Sequence, residues 1–226
     1  MNITSAQLTS YTNKAEKILS VDDGISIFGR MYKLQKDICD PMNIDTLGVD
    51  INNPSILLMY KSSIYAKLHN EMKEFFNEVD LYTNPRNNKS NKQDLLEEAV
   101  DCISYALLLV AINNNHYNLF SLSSSVDSYV NRSFTNRFTS LQRITKYMHN
   151  HVYSAFEYAN LNWHRDDKKT YSSLENEELL ELVIITLNAM LLTASKQEIL
   201  DTCSAKAAKV LKYMASKNPS VTEACW

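Results

Sequence analysis

Glycine is the residue this chain does without. Only three glycines and four prolines occur in 226 residues, where average usage would place about 16 and 11. Tight β-hairpins, dinucleotide-binding turns and phosphate loops all consume glycine, so none of them can recur here. Helices joined by short polar turns are what remains, and the chain is expected to be all-α. Hydrophobic residues at 45% and charged residues at 22% are ordinary globular usage. A chain of this length buries about 70% of its unfolded surface, so it needs no disulfide or metal staple. The four cysteines, Cys39, Cys102, Cys203 and Cys225, show no CxxC or metal-ligand spacing. Cys102 and Cys203 lie in apolar helical patterns and are expected as buried thiols.

A net charge of −3 with pI near 6.0 gives no footprint for nucleic acid or an anionic membrane. The longest apolar stretch, Cys102 to Ile112, falls short of the roughly 20 residues needed to span a bilayer. The first residues, MNITSAQLTSYTNKAEK, lack an apolar signal core, so the expected compartment is the cytoplasm, or the host cytoplasm if the chain is phage-encoded.

Sparse breakers divide the chain into helices at about 5–20, 25–39, 54–79, 93–112, 136–160, 174–194 and 196–217. The second is expected to stop at Asp40-Pro41, with Met42 to Asn53 a polar loop. Pro54 is placed to open the third, and Asn113-Asn114-Asn115 to end the fourth. One all-α domain over 1–226 follows, with halves at 24–113 and 114–226. DLLEEAVDCISYALLLVA (94–111) runs parallel to NEELLELVIITLNAMLLTA (176–194), Glu98 falling on Glu181. Either a hairpin was duplicated and its second copy lost its acids, or leucine-rich helices resemble each other by chance.

Four acids stand out. Ile64, Leu68, Met72, Phe75 and Val79 form a helical core stripe, and Glu71 and Glu74 flank it about 60° apart. Glu98 and Asp101 stand in the same relation to the stripe Leu95, Ala99, Cys102, Ile103, Ala106 and Val110. Surface acids at this spacing are commonplace. Beyond Asp101, however, the helix is apolar all round, which marks a central helix, and carboxylates on a face entering the core rarely stay unpaired. Two of them 4 Å apart repel by about 4 kcal/mol at an effective dielectric of 20. The flanking turns offer only Lys67 and Lys73 as counter-cations. Hard oxygen ligands suit Mg²⁺, with Mn²⁺ an alternative.

Glu71-x-x-Glu74 followed by Glu98-x-x-Asp101 resembles the metal signature of the all-α nucleoside triphosphate pyrophosphohydrolases. That superfamily includes the dimeric dUTPases, phage dCTPase-dUTPases and MazG-like enzymes. Gln35 to Asp40 (QKDICD) resembles the Q-x-x-(apolar)-x-D helix of the dimeric dUTPases, whose glutamine lies in the nucleoside pocket. The resemblance covers about 28–112 and implies a helical bundle. It implies Mg²⁺-dependent hydrolysis of dUTP or dCTP to monophosphate and pyrophosphate, in a homodimer. The metal ligands would be Glu71, Glu74, Glu98 and Asp101, with Glu74, or else Glu71, holding the attacking water. Gln35, Arg86, Lys206 and Lys209 would contact substrate, with Lys212 a further cation. The pattern departs from the family after the first acid pair, where FFNEVDLYTNPRNNK has no tryptophan. It departs again near the C-terminus, where AKAAKVLKYMASKNPS lacks the Asn, Arg-Gln and Gly-Tyr. Two other readings stay open: a MazG-like enzyme of broad specificity, and a catalytically weakened helical dimer that binds a regulatory protein.

Of the remaining motifs, His149 and His151 point to opposite sides of a helix, and His69 is out of step with Glu71. No Ser-His-Asp arrangement or GxSxG is readable.

Overall fold

The computed structural model describes residues 3–20, 26–84, 91–117, 130, 140–164 and 168–216; the side chains of 142, 162–164, 169 and 211–216 are not described. Everything regular in it is helical: α1 (Ser5–Ser20), α2 (Ile27–Leu34), a π-helical turn (Gln35–Cys39), α3 (Asp40–Leu47), α4 (Pro54–Thr83), α5 (Lys92–Tyr117), α6 (Leu141–His164), α7 (Lys168–Leu191) and α8 (Lys196–Ser216). The protein is all-α, and no strand occurs among the described residues.

Local chemistry explains where the helices begin. Asn53 caps α4, its side-chain oxygen accepting from the Ser55 and Ile56 N–H groups, and Pro54 occupies the first turn, where its missing N–H costs nothing. Ser195 and Glu198 form a reciprocal capping box at α8: the Ser195 hydroxyl accepts from the Glu198 N–H at 3.3 Å, and the Glu198 carboxylate accepts from the Ser195 N–H at 2.8 Å.

Four helices close a bundle. α4 packs on α5, α5 on α7, α7 on α6 and α6 back on α4. The stripe Ile64, Leu68, Met72, Phe75 and Val79 is buried throughout, as its spacing requires. α5 is buried on every side from Cys102 to Asn114, because α2, the π turn, α3 and α8 cover the flank that α4 and α7 leave open. The two segments with parallel sequences thus lie in adjacent helices at the centre. Cys39, Cys102 and Cys203 are buried and form no disulfide among the described residues; Cys225 lies outside the described residues.

Two expectations fail at the same place. The helix does not stop at Asp40-Pro41 but runs on to Leu47, where Gly48 (φ 65°) ends it with a left-handed cap. Nor does α5 end at Asn113; it continues to Tyr117. Pro41 has no N–H, and in an α-helix its ring would press on a carbonyl one turn back. The backbone widens just before it into a π turn, in which the Asp40 N–H reaches the Gln35 carbonyl five residues earlier. In that register the Lys36 carbonyl falls to Pro41, which cannot donate. Asn115 supplies the missing donor: its Nδ2 lies 2.9 Å from the Lys36 carbonyl oxygen and 2.9 Å from an Asp40 oxygen. The asparagine run that reads as a loop is a polar ladder on a helix. Asn115→Ala should therefore cost about 1–3 kcal/mol, the penalty of leaving a part-buried carbonyl without its donor. The measurement is the urea midpoint; an unchanged midpoint would refute this role.

A second polar network crosses the bundle. Lys61, only 1% exposed, places its ammonium 2.6 Å from Glu175 Oε2 and 2.8 Å from Asn113 Oδ1. The Tyr65 hydroxyl donates to Glu175 Oε1 at 2.8 Å, and Asn113 Nδ2 donates to Asn176 Oδ1 at 2.8 Å. These contacts tie α4 and α5 to α7.

Candidate metal centre

Glu71 and Glu74 leave α4 from the shoulder of its buried stripe, and Glu98 leaves α5 in the same way. One carboxylate oxygen from each lies within 4.8 Å of the other two. Glu71 and Glu98 are half-buried and Glu74 is exposed. Burial first, then the surrounding negative charge of Asp101 and Glu74, raises the carboxyls of both Glu71 and Glu98 from 4.5 to about 7. Asp101, more deeply placed, is also raised by burial, against the pull of Lys206.

Asp101 stands apart from the group of three. Lys206, from α8, sits between its oxygens, 2.5 Å from each. Lys209, one turn on, pairs with Glu97 at 2.7 Å on the exposed rim, where such a pair contributes little. The four acids thus divide into three that converge and one already matched to a cation. That cation comes from more than a hundred residues away, and not from Lys67 or Lys73.

The donor set suits a hard divalent ion. Octahedral Mg²⁺ with bonds of about 2.1 Å holds its oxygens about 3–4 Å apart, close to the spread of these three carboxylates. Three acids leave positions for water or phosphate, as a catalytic ion requires.

The other candidates fall elsewhere. Gln35 is buried in the π turn. Tyr32 accepts from Asn114 at 2.5 Å and Asn115 meets Lys36, so this segment lies against the C-terminal turn of α5. At about 1.5 Å per residue that is about 25 Å along the helix from Glu98. Gln35 is therefore not brought to the acids. Arg86 lies outside the described residues, as does the Lys212 side chain. His149 turns toward His69 and Phe76, ring centroids 6.4 and 4.8 Å away, whereas His151 meets Glu178 at 2.6 Å. The two histidines serve different neighbours, as their spacing predicts.

Comparison with protein-family models, with curated proteins and with solved structures found no match. No described helix is long and apolar enough to cross a membrane.

The raised carboxyls give a pH dependence with a definite sign. In the folded chain Glu71 and Glu98 release their protons near 7, in the unfolded chain near 4.5. The folded state thus holds extra protons between those values, and stability from these groups falls as pH rises through that window. Metal-free protein should lose melting temperature between pH 4.5 and 7 relative to Glu71→Gln/Glu98→Gln, and Mg²⁺ should restore it. A flat difference between the two proteins across that range would contradict the assignment.

Proposed function

We propose that the protein hydrolyses a nucleoside triphosphate, dUTP or dCTP foremost, to the monophosphate and pyrophosphate, using Mg²⁺ held by Glu71, Glu74 and Glu98. The observation that carries this reading is the convergence of three carboxylates from two antiparallel helices beside a lysine of a third. The ion, when bound, neutralises phosphate charge and acidifies water. Glu74, exposed at the mouth, holds the attacking water and takes its proton. Lys206 exchanges Asp101 for a phosphate oxygen when substrate arrives, and Lys209 adds positive charge at the rim. Action as a homodimer in the cytoplasm belongs to the same reading.

The test is incubation with Mg²⁺ and a panel of ribo- and deoxynucleoside triphosphates, resolving pyrophosphate from orthophosphate. Pyrophosphate and monophosphate from one or two deoxynucleotides support the reading and name the base. Equal turnover of the whole panel would point to a MazG-like enzyme of broad specificity.

The stretch AKAAKVLKYMASKNPS, which lacks the Asn, Arg-Gln and Gly-Tyr of the resembled family, leaves a second reading: a helical dimer that has kept its acids but lost its chemistry and binds a regulatory protein. No turnover of any nucleotide, with Mg²⁺ still raising the melting temperature, would select that reading.

A further inference from the structure

α4 has two working flanks, and the acid centre uses only one. His69 precedes Glu71 by two residues and so leaves the helix about 200° away around its axis, on the side where α4 meets α6. A groove of about 400 Å³ runs between these two helices, and His69 and His149 both line it. Tyr65, Val152, Tyr153 and Phe156 supply apolar and aromatic walls, and the lining contains no acid, lysine or arginine. On each helix the lining residues recur at i, i+3, i+4 and i+7, so a single face of α4 and a single face of α6 make the groove.

The two imidazoles meet across it, ring centroids 6.4 Å apart and planes inclined at 56°. Tyr65 meets Phe156 with centroids 5.3 Å apart. Tyr65 comes before His69 in the chain and Phe156 after His149, so α4 and α6 run antiparallel. The same spacing, His-Asn-x5-Phe, occurs at 69–76 and at 149–156. Antiparallel copies of one pattern set like residues opposite each other, as about a local two-fold axis, and the axis falls between the two histidines. A ligand on that axis receives one imidazole from each helix.

Phe76 packs against the His149 ring at 4.8 Å. Burial first, then the neighbouring His69, lowers the pKa of His149, which favours the free-base imidazole that metals bind. An ion held by two ring nitrogens at about 2.1 Å separates the ring centroids by about 5 Å at a tetrahedral angle and about 6.5 Å in a trans arrangement. The observed 6.4 Å matches the trans arrangement of a tetragonal ion. Both histidines are exposed, so their side chains can close by the remaining ångström or so for a tetrahedral one. Imidazole suits Zn²⁺, Ni²⁺ and Cu²⁺, whereas Mg²⁺ and Ca²⁺ favour oxygen ligands, and the groove offers no carboxylate.

We infer that His69 and His149 together bind a divalent transition-metal ion of the imidazole-preferring class, Zn²⁺, Ni²⁺ or Cu²⁺, with water in its remaining positions. The ion joins α4 to α6 and so stabilises the folded chain in proportion to its affinity. The site is separate from the acid centre and independent of the hydrolase reading.

The experiment is isothermal titration of the untagged full chain with Zn²⁺. It is run in Glu71→Gln/Glu74→Gln, where the acid centre cannot compete, with and without His69→Ala, His149→Ala or His151→Ala. Melting curves check that each protein folds. Saturable binding of one equivalent is expected. Either change in the groove should weaken it about a hundredfold or more, since even groups outside the ligand shell typically contribute about 10–100-fold to metal affinity. His151→Ala, on the other side of α6, should leave it unchanged. Zn²⁺ should raise the melting temperature only where both groove histidines are present. Electron paramagnetic resonance of the Cu²⁺-loaded protein should show coupling to two imidazole nitrogens. Absence of saturable Zn²⁺ binding, indifference to either groove histidine, loss in His151→Ala, or coupling to a single nitrogen would overturn the site. Failure of the hydrolase reading would appear separately, as absence of pyrophosphate release by the wild type in Mg²⁺.

Discussion

Glu175→Leu is expected to destabilise the protein by about 3–5 kcal/mol, because it strands the Lys61 ammonium in the bundle interior. Lys61 and Glu175 are 1% and 0% exposed, with nitrogen and oxygen 2.6 Å apart. Neither can reach water when the other is lost. The Asn113 oxygen stays on the ammonium but carries no compensating charge, and the Tyr65 hydroxyl loses its acceptor. Lys61→Met should cost a comparable amount, since it leaves a buried carboxylate. The combined Lys61→Met/Glu175→Leu protein should be less destabilised than the sum of the two. A buried pair as a whole offsets much of its desolvation cost, whereas half of one does not. Urea unfolding of the three proteins measures this. A glutamate variant within about 1 kcal/mol of wild type, or strict additivity, would show that the pair is not closed in solution.

The second large effect concerns turnover. Glu74→Gln is expected to lower pyrophosphate release by about two to four orders of magnitude, the contribution usual for a positioned general base, with the melting temperature held. The side chain is exposed and belongs to no buried network, so its removal leaves the packing of α4 alone. Lys206→Ala separates two roles in the same assay. A lysine that only neutralises Asp101 would leave KM unchanged, whereas one that grips phosphate would raise it. Full activity in Glu74→Gln would move the base to Glu71 or dismiss the mechanism.

Much of the fold was legible in the sequence because helical order is periodic and local. The apolar stripes of 64–79 and 95–110 repeat every three or four residues, so they name the buried face without knowledge of what covers it. The same arithmetic puts Glu71 beside Glu74 and Glu98 beside Asp101. The all-round apolar stretch after Asp101 likewise marks α5 as central. Pro41 misled the boundary because the rule that proline ends a helix assumes no outside donor. A π turn and Asn115, 79 residues downstream of the Lys36 carbonyl it serves, supplied one.

Side-chain partners across the bundle are not periodic. That three acids converge follows from the packing of α4 on α5. That Lys206 matches the fourth depends on α8 returning to the flank of α5. The same holds for Lys61 with Glu175. Each pairing joins residues whose separation along the chain carries no information about their separation in space. Helical spacing decides which way a residue faces on its own axis; only the docking of axes decides what it meets there.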